Sequence, residues 1–476
     1  MKREFLFNLV ILLGLNLLIK PIFIFGIDRS IQNIVGAEQY GLYFALLNCS
    51  YLMLIFNDFG IQNFNSRNIA QHNHLLNKYF PNIVVLKLML GFVYVFSTLL
   101  LSFTLGYWTE VWDIVLLLAF NQVLISFVQY CRSNISGLGY YRTDSILSAL
   151  DRFLMVLICG ALFYTNILTA SNGIRYFIYA QTFAYLLTFM VAFALVYRHL
   201  SSFKLYFNKI FLILIAKKSF PFALISLLMV AYTRIDAVML ERMLPDGKVE
   251  AGVYASAYRL LEACGSFSLL FGGLLFPMFS RMIGRGESVT PLLNISCRLM
   301  AVLGFSAAIC ISVFSLPIMQ ALYHEATPYW ANTLQILIWS FVPISFMYIF
   351  GSLLMANGSI WPLNRIFMAG VLLNLLTNFI FINTAKAHGA AASAFVTQTF
   401  IIVALVWTSI RTLQLQMDWR MIGRVICFVV ALFVVSNLFL QCSLPWYVSF
   451  LCACGFALVS AIVLKLINKD IIFLKN

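Results

Sequence analysis

The chain has 476 residues, 62% of them hydrophobic and 10% charged, and its 31 Lys and Arg outnumber 17 Asp and Glu for a net charge of +14. Soluble domains run at about 25% charged, so a soluble catalytic domain or a basic nucleic-acid-binding fold is excluded, and the mean hydropathy of +0.93 points to a protein built in lipid. The positive charge then marks one side of a membrane.

Apolar runs between polar breaks predict an all-α integral membrane protein with 14 transmembrane helices, near 4–27, 40–62, 80–105, 111–131, 145–166, 174–197, 218–241, 252–276, 292–316, 331–356, 363–383, 389–410, 421–441 and 446–466. Each comes close to the roughly 20 apolar residues a bilayer requires. The first follows Lys2 and Arg3 as a signal peptide would, but no small-residue cleavage site follows, so it reads as a retained helix. Placing the N-terminus in the cytoplasm puts 20 Lys and Arg in inside loops and tails, 5 outside and 6 within or near spans. That asymmetry predicts both termini in the cytoplasm. No loop is long enough to fold alone, so the helices must carry the activity.

Charges inside spans come next in chain order. Lys20 precedes Pro21, whose missing N–H predicts a bend beside a buried cation, although an ordinary membrane proline accounts for it equally well. Asp58 and Lys87 fall at comparable depth on adjacent spans and predict a structural ion pair, with Asp151, Arg152 and Arg298 also toward the cytoplasmic third. From Ser219 to Gly273 two spans carry Arg234, Asp236, Arg259 and Glu262. An ionised group in the bilayer centre costs roughly 2.5–3.5 kcal/mol on insertion scales, so these should face protein or water. Arg234 and Asp236, two positions apart, point about 200° apart on a helix. Arg234 and Arg259 are therefore expected to face a central water-filled cavity, and Asp236 its own bundle. The plainer alternative is that Arg259 and Glu262, at i and i+3, neutralise each other.

The ten cysteines sit mostly in apolar runs, without a C-x-x-C or a His at ligand spacing, and read as small hydrophobes. No Walker-type glycine loop appears, so direct ATP use is not expected.

An internal repeat is visible. Gly41-Leu42-Tyr43 recurs as Gly252-Val253-Tyr254, and Ala180-Gln181-Thr182-Phe183 as Thr397-Gln398-Thr399-Phe400, at offsets of 211 and 217. Six spans per half make a parallel repeat, with a site expected between the halves. The expected organisation is an N-lobe at 1–212, a C-lobe at 213–412 and two further helices at 413–476. At the repeat offset Lys20 matches Arg234 to within a few residues, so both halves supply a cation at similar height. Lys20, Arg234 and Arg259, with Arg29 at the mouth, then form a cationic cavity, and Arg suits phosphate because of its planar fork of donors. A cationic site in the membrane, between halves able to rock, favours transport over catalysis. A lipid-linked phosphate fits, since its polar head cannot cross hydrocarbon unaided while its tail can stay in lipid.

The first two spans read Asp28-Arg29-Ser30, Val35-Gly36-Ala37-Glu38-Gln39-Tyr40-Gly41-Leu42-Tyr43, then Asn57-Asp58-Phe59-Gly60 and Arg67. This resembles the Wzx-type polysaccharide-lipid flippases of the multidrug/oligosaccharidyl-lipid/polysaccharide (MOP) exporter superfamily, whose second span opens with an acidic-x-Tyr-Gly-x-Tyr turn and closes with Asp-Phe-Gly. Arg234-Ile235-Asp236 and Ala251-Gly252-Val253-Tyr254 through Tyr258-Arg259-Leu260 look like the matching part of the second half. The resemblance implies two six-helix lobes in a V around a central cavity and alternating access. It also implies export of undecaprenyl-pyrophosphate-linked oligosaccharide from the inner to the outer leaflet of a bacterial inner membrane. Other polysaccharide assembly proteins are implied partners, and no nucleic acid is. No resident cofactor is expected, and the energy would come either from a coupling ion, sodium or a proton, or from the concentration difference of the lipid itself. For sodium the resemblance points to Asp236, Asn374, Asn378 and Thr397. Two rivals remain. One is a drug or metabolite antiporter of the same superfamily, against which 14 spans rather than 12 argue mildly. The other is a membrane enzyme, either a polymerase, which needs a large outside loop, or an acyltransferase, which needs a buried His.

Overall fold

Backbone polar groups in hydrocarbon can be satisfied within a single segment only by a helix, and every regular element among the described residues is helical. The structure is a computed structural model, and it describes residues 14, 18–62, 65, 69, 76–107, 111–165, 167–200, 209–415 and 418–467. Among the described residues eleven helices are long and apolar enough to cross a membrane. One of them, Ile360–Leu413, is broken at Lys386 (φ 52, ψ −126), and its two arms take the places of the eleventh and twelfth expected spans. Most of the first expected span lies outside the described residues. The second is shorter than expected, running to Leu52 and continuing only as a turn over Ile55–Asp58.

By packing, the chain divides into Met1–Gly252 and Val253–Asn476. The sequence repeat sets its boundary at 212, and the seventh span accounts for the difference.

In the first unit the long helices are α1 (Arg29–Leu52, broken at Gly36, where φ 80 and ψ 170 are not helical), α2 (Leu76–Thr104), α3 (Trp112–Gly137), α4 (Tyr141–Tyr164), α5 (Gly173–Tyr197) and α6 (Lys209–Met243). The first turn of α7 (Gly247–Gly284) belongs to the same unit. α3 packs on α5, and α1 packs along α6. The described chain enters through a π-helical stretch, Ile22–Asp28, directly after Pro21, closed by the amide of Arg29 donating to the Ile24 carbonyl. The expected bend at Pro21 thus takes the form of an overwide turn, a distortion often found at functional sites. An aromatic core that includes Phe80, Phe127 and Tyr130 fills one end of this unit. The repeat signatures of the first half meet directly elsewhere in the unit, where the Gln181 amide donates to the Tyr43 hydroxyl at 2.9 Å beside the Phe177 ring.

The seam between α1 and α6 and its continuation is pinned at both ends. At the Met243 end of α6, the outer end in the expected orientation, Gly41 lies against the α7 backbone, and a Cβ on it would overlap the Lys248 carbonyl oxygen. A Cβ on Gly252 would overlap the Ala37 carbonyl oxygen in turn. The two glycines of the repeat therefore pack against each other's helices, and Gln32 donates to the Gly252 carbonyl at 3.1 Å. At the inner end Asp58-Phe59-Gly60 makes a left-handed turn, with φ of 49° at Phe59 and 74° at Gly60. A Cβ on Gly60 would come within 2.9 Å of the Ser219 carbonyl. Beside it the rings of Phe59 and Phe220 lie 6.0 Å apart.

The second unit continues α7 and adds α8 (Thr290–Val313), α9 (Pro328–Leu337), α10 (Phe341–Ala356), α11 (Ile360–Leu413), α12 (Trp419–Gln441) and α13 (Trp446–Val463). α12 and α13 pack on each other and on α8, around a core that includes Phe314, Phe428 and Leu432.

Candidate functional site

Arg234 stands nine residues before the end of α6, about 13 Å from it along the axis. Its Nη1 lies 3.5 Å from Asn48 Oδ1, and its guanidinium carbon lies 4.9 Å from the centre of the Tyr51 ring. Asn48 and Tyr51 are three residues apart and so share one face of α1. The Asn48 side chain is buried and also donates to the Phe44 carbonyl at 2.7 Å. A second arginine stands in the same unit. Arg152 of α4 reaches the Tyr185 hydroxyl of α5, a group that also feels Asp151 and Tyr51. Its guanidinium lies 4.7 Å above the Phe23 ring and 3.8 Å from Asp151. Lys20, half-buried, sits one turn before Phe23 on roughly the same side of its helix.

The first unit therefore holds two arginine–tyrosine pairs, Arg234 with Tyr51 and Arg152 with Tyr185. Of these, the sequence had singled out only Arg234 for the site. Tyrosines score as apolar in a hydropathy count, and Arg152 had been grouped with charges of the cytoplasmic third. The polar stripe of Asn48 and Tyr51 at i and i+3 in an apolar span was the available signal.

Arg29 begins α1, and its Nε is buried with no hydrogen-bond partner among the described residues. The neighbouring Asp28 is buried and accepts from the Tyr40 hydroxyl at 2.6 Å. Asp236, 2% exposed, is enclosed in the protein two residues beyond Arg234. Deeper in the unit, Lys87 is 1% exposed and donates at 2.7 Å both to Asp58 and to the Ser126 hydroxyl, the expected ion pair. At the outer end of α6 the Tyr107 hydroxyl donates to Glu241 at 2.6 Å, while Arg242 bridges to Glu241 at 3.0 Å and stacks 3.5 Å over the Tyr107 ring.

In the second unit Arg259 Nη1 meets Glu262 at 2.8 Å, the neutralising pair foreseen as the plainer alternative. Asn374, Asn378 and Thr397 come together there. The Asn374 amide donates to Thr397 at 3.4 Å, and the Asn378 amide to Asn374 at 3.1 Å. Their buried neutral oxygens are the donor class that hard cations take, although two of them already accept from these amides. Among the described residues no three His, Cys, Asp or Glu side chains cluster as a metal cage.

Residues 8–283 match the family model described as polysaccharide biosynthesis protein, more than half of the chain. The chain belongs to that family. No curated protein matches its sequence. Among solved structures, this polysaccharide biosynthesis protein resembles a lipid II flippase, MurJ, in an inward closed conformation, with TM-score 0.73 and 12% identity over 96% of this chain and 98% of that one. It also resembles an inward-facing multidrug resistance MATE family transporter of the MOP superfamily, with TM-score 0.61 and 13% identity over 85% of this chain and 99% of that one. A MOP superfamily transporter from Pyrococcus furiosus follows at TM-score 0.57 and 13% identity, over 86% and 95%. At these identities the likeness shows the fold alone, one shared with these transporters and this flippase.

Proposed function

We propose that this polysaccharide biosynthesis protein is a flippase that carries undecaprenyl-pyrophosphate-linked oligosaccharide to the outer leaflet of a bacterial inner membrane by alternating access. The observation that carries the reading is the polar, arginine-bearing group around Arg234 inside a helical unit otherwise fit for hydrocarbon. A guanidinium held by an amide and an aromatic face can exchange the amide for a phosphate oxygen, which it binds more strongly as a charge-assisted pair. The family description supplies the polysaccharide context, and the shared fold with a lipid II flippase supports a lipid-linked cargo. A drug antiporter rests on the fold likeness to MATE transporters alone, so it stands second.

Coupling belongs to the same proposal. Sodium, or a proton, would bias the cycle, and the buried neutral oxygens of Asn374, Asn378 and Thr397 support an oxygen-bound cation. Flipping at an equal rate with and without a sodium gradient would remove sodium from the proposal.

The deciding experiment measures flipping of a fluorescent lipid-linked oligosaccharide in proteoliposomes. Arg234→Ala is expected to lower the rate at least tenfold with membrane insertion unchanged, since a lost charged hydrogen bond amounts to roughly 1.5–3 kcal/mol. Arg234→Lys should retain part of the rate. Full flipping by the Arg234→Ala, Arg259→Ala double variant would overturn the reading.

A further inference from the structure

The second unit carries a set of arginines that the transport reading does not use. The two arms of α11 run antiparallel in a register fixed by Thr377 against Ser393 at 2.6 Å and Asn374 against Thr397 at 3.4 Å. Followed to the open end, that register brings the turn bearing Trp361 and Arg365 beside the turn bearing Trp407 and Arg411. The next helix in the chain, α12, opens with Trp419-Arg420 and places Arg424 one turn on. The three indoles are 57%, 56% and 74% exposed, well beyond what a packed tryptophan shows. All four guanidiniums are exposed as well, and Arg411 lies 3.9 Å over the Trp407 ring.

The sequence offers these cations almost no acid. Between Glu325 and Asp470 the only carboxylate is Asp418. It is already engaged, accepting from the Met421 amide at 3.1 Å as the helix cap and from Arg298 at 3.3 Å. Below the arginines the same helices turn exposed apolar side chains outward, among them Val403, Ile426 and Val430. A rim of tryptophan and arginine above a bare apolar wall has the polarity profile of a lipid, with acyl chains below and phosphate at the guanidiniums.

We propose that this rim, built on Trp407, Arg411, Trp419, Arg420 and Arg424, is a seat for anionic phospholipid headgroups. The indoles set the depth and the guanidiniums take the phosphate oxygens. Lysine could supply the charge but not the planar fork, and all four cations here are arginine. The seat does not depend on the flippase reading, so its test needs no transport assay.

Full-length protein in neutral detergent would be unfolded thermally with added phosphatidylglycerol, phosphatidylcholine or inorganic phosphate. Phosphatidylglycerol is expected to raise the midpoint, while phosphatidylcholine and phosphate leave it in place. Each arginine near an anionic surface strengthens binding roughly fivefold, so Arg411→Gln, Arg420→Gln, Arg424→Gln together should weaken the lipid response by well over tenfold, and three Lys replacements should keep most of it. Equal shifts with both lipids, a shift with phosphate alone, or an unchanged response in the Gln variant would overturn the seat. Should the Gln variant not fold, quenching of the native tryptophans by brominated lipids decides. Stronger quenching by phosphatidylglycerol than by phosphatidylcholine in mixed bilayers supports the seat, and equal quenching overturns it.

Discussion

The seam of α1 and its following turn against α6 and α7 is made differently at its ends and at its middle. At the ends backbone meets backbone, Gly41 on Lys248 and Gly60 on Ser219, and no side chain stands between. In the middle long side chains meet, with Arg234 reaching Asn48 and lying over Tyr51. Close backbone contact fixes position because peptide groups have few ways to yield, whereas a guanidinium on a flexible stem can change partners without moving its helix. The ends therefore set the register, and the middle is left free to respond to a ligand.

Substitutions at Gly41 test that division most severely. Gly41→Val puts branched carbon where the Lys248 carbonyl already stands, so the cost should reach or exceed the upper end of the roughly 1–3 kcal/mol typical of overpacking. The expected outcome is loss of folded protein from the membrane, measured by detergent-extracted yield and size-exclusion profile. A variant with wild-type yield and flipping would show that the outer crossing is not a fixed point, and the contrast between ends and middle would fall with it.

The inner end should be less severe. Gly60→Ala meets the Ser219 carbonyl at 2.9 Å rather than overlapping it, and adds the strain of a left-handed φ of 74° at a non-glycine residue. Such strain costs about 1–3 kcal/mol. The protein should insert, with a lowered thermal midpoint and reduced flipping. If Gly60→Ala proved as damaging as Gly41→Val, the two ends would be equally rigid and the ranking drawn from these contacts would be wrong.

Much of this architecture was open to reading in the residues. Hydropathy alone located most of the described helices, because lipid leaves a helix as the only solution for an apolar run. Depth matching paired Lys87 with Asp58, since both had to find a partner at one level. Gly41 and Gly252 were recognised as repeats, but that they pack on each other's helices is tertiary information that no local pattern holds. The break at Lys386 was equally hidden as a backbone event, since Asn383-Thr384-Ala385-Lys386-Ala387 contains neither Gly nor Pro. The candidate site was legible only as one arginine. Its companions Asn48, Tyr51 and Tyr185 matter through where two other helices place them, and a polar tip on an aromatic ring leaves little trace in a hydropathy profile.

The mildest test concerns the outer end of α6, where Tyr107 and Arg242 close over Glu241. Burial, reinforced by the Glu241 carboxylate beside it, pushes the Tyr107 hydroxyl well above the ordinary tyrosine value of 10.0. An acid whose folded value is raised contributes stability fully below its unfolded value and loses it as pH climbs toward the folded one. The folded protein should therefore hold its thermal midpoint up to about pH 10 and lose stability above it, as the unfolded chain ionises Tyr107 and the folded chain does not. Tyr107→Phe should leave insertion and the Gly41 crossing intact, lower the midpoint slightly at neutral pH, and flatten part of the alkaline slope. An alkaline profile identical to wild type would mean that the Tyr107–Glu241 bond adds nothing to the outer end, leaving the backbone contacts at Gly41 and Gly252 to fix it alone.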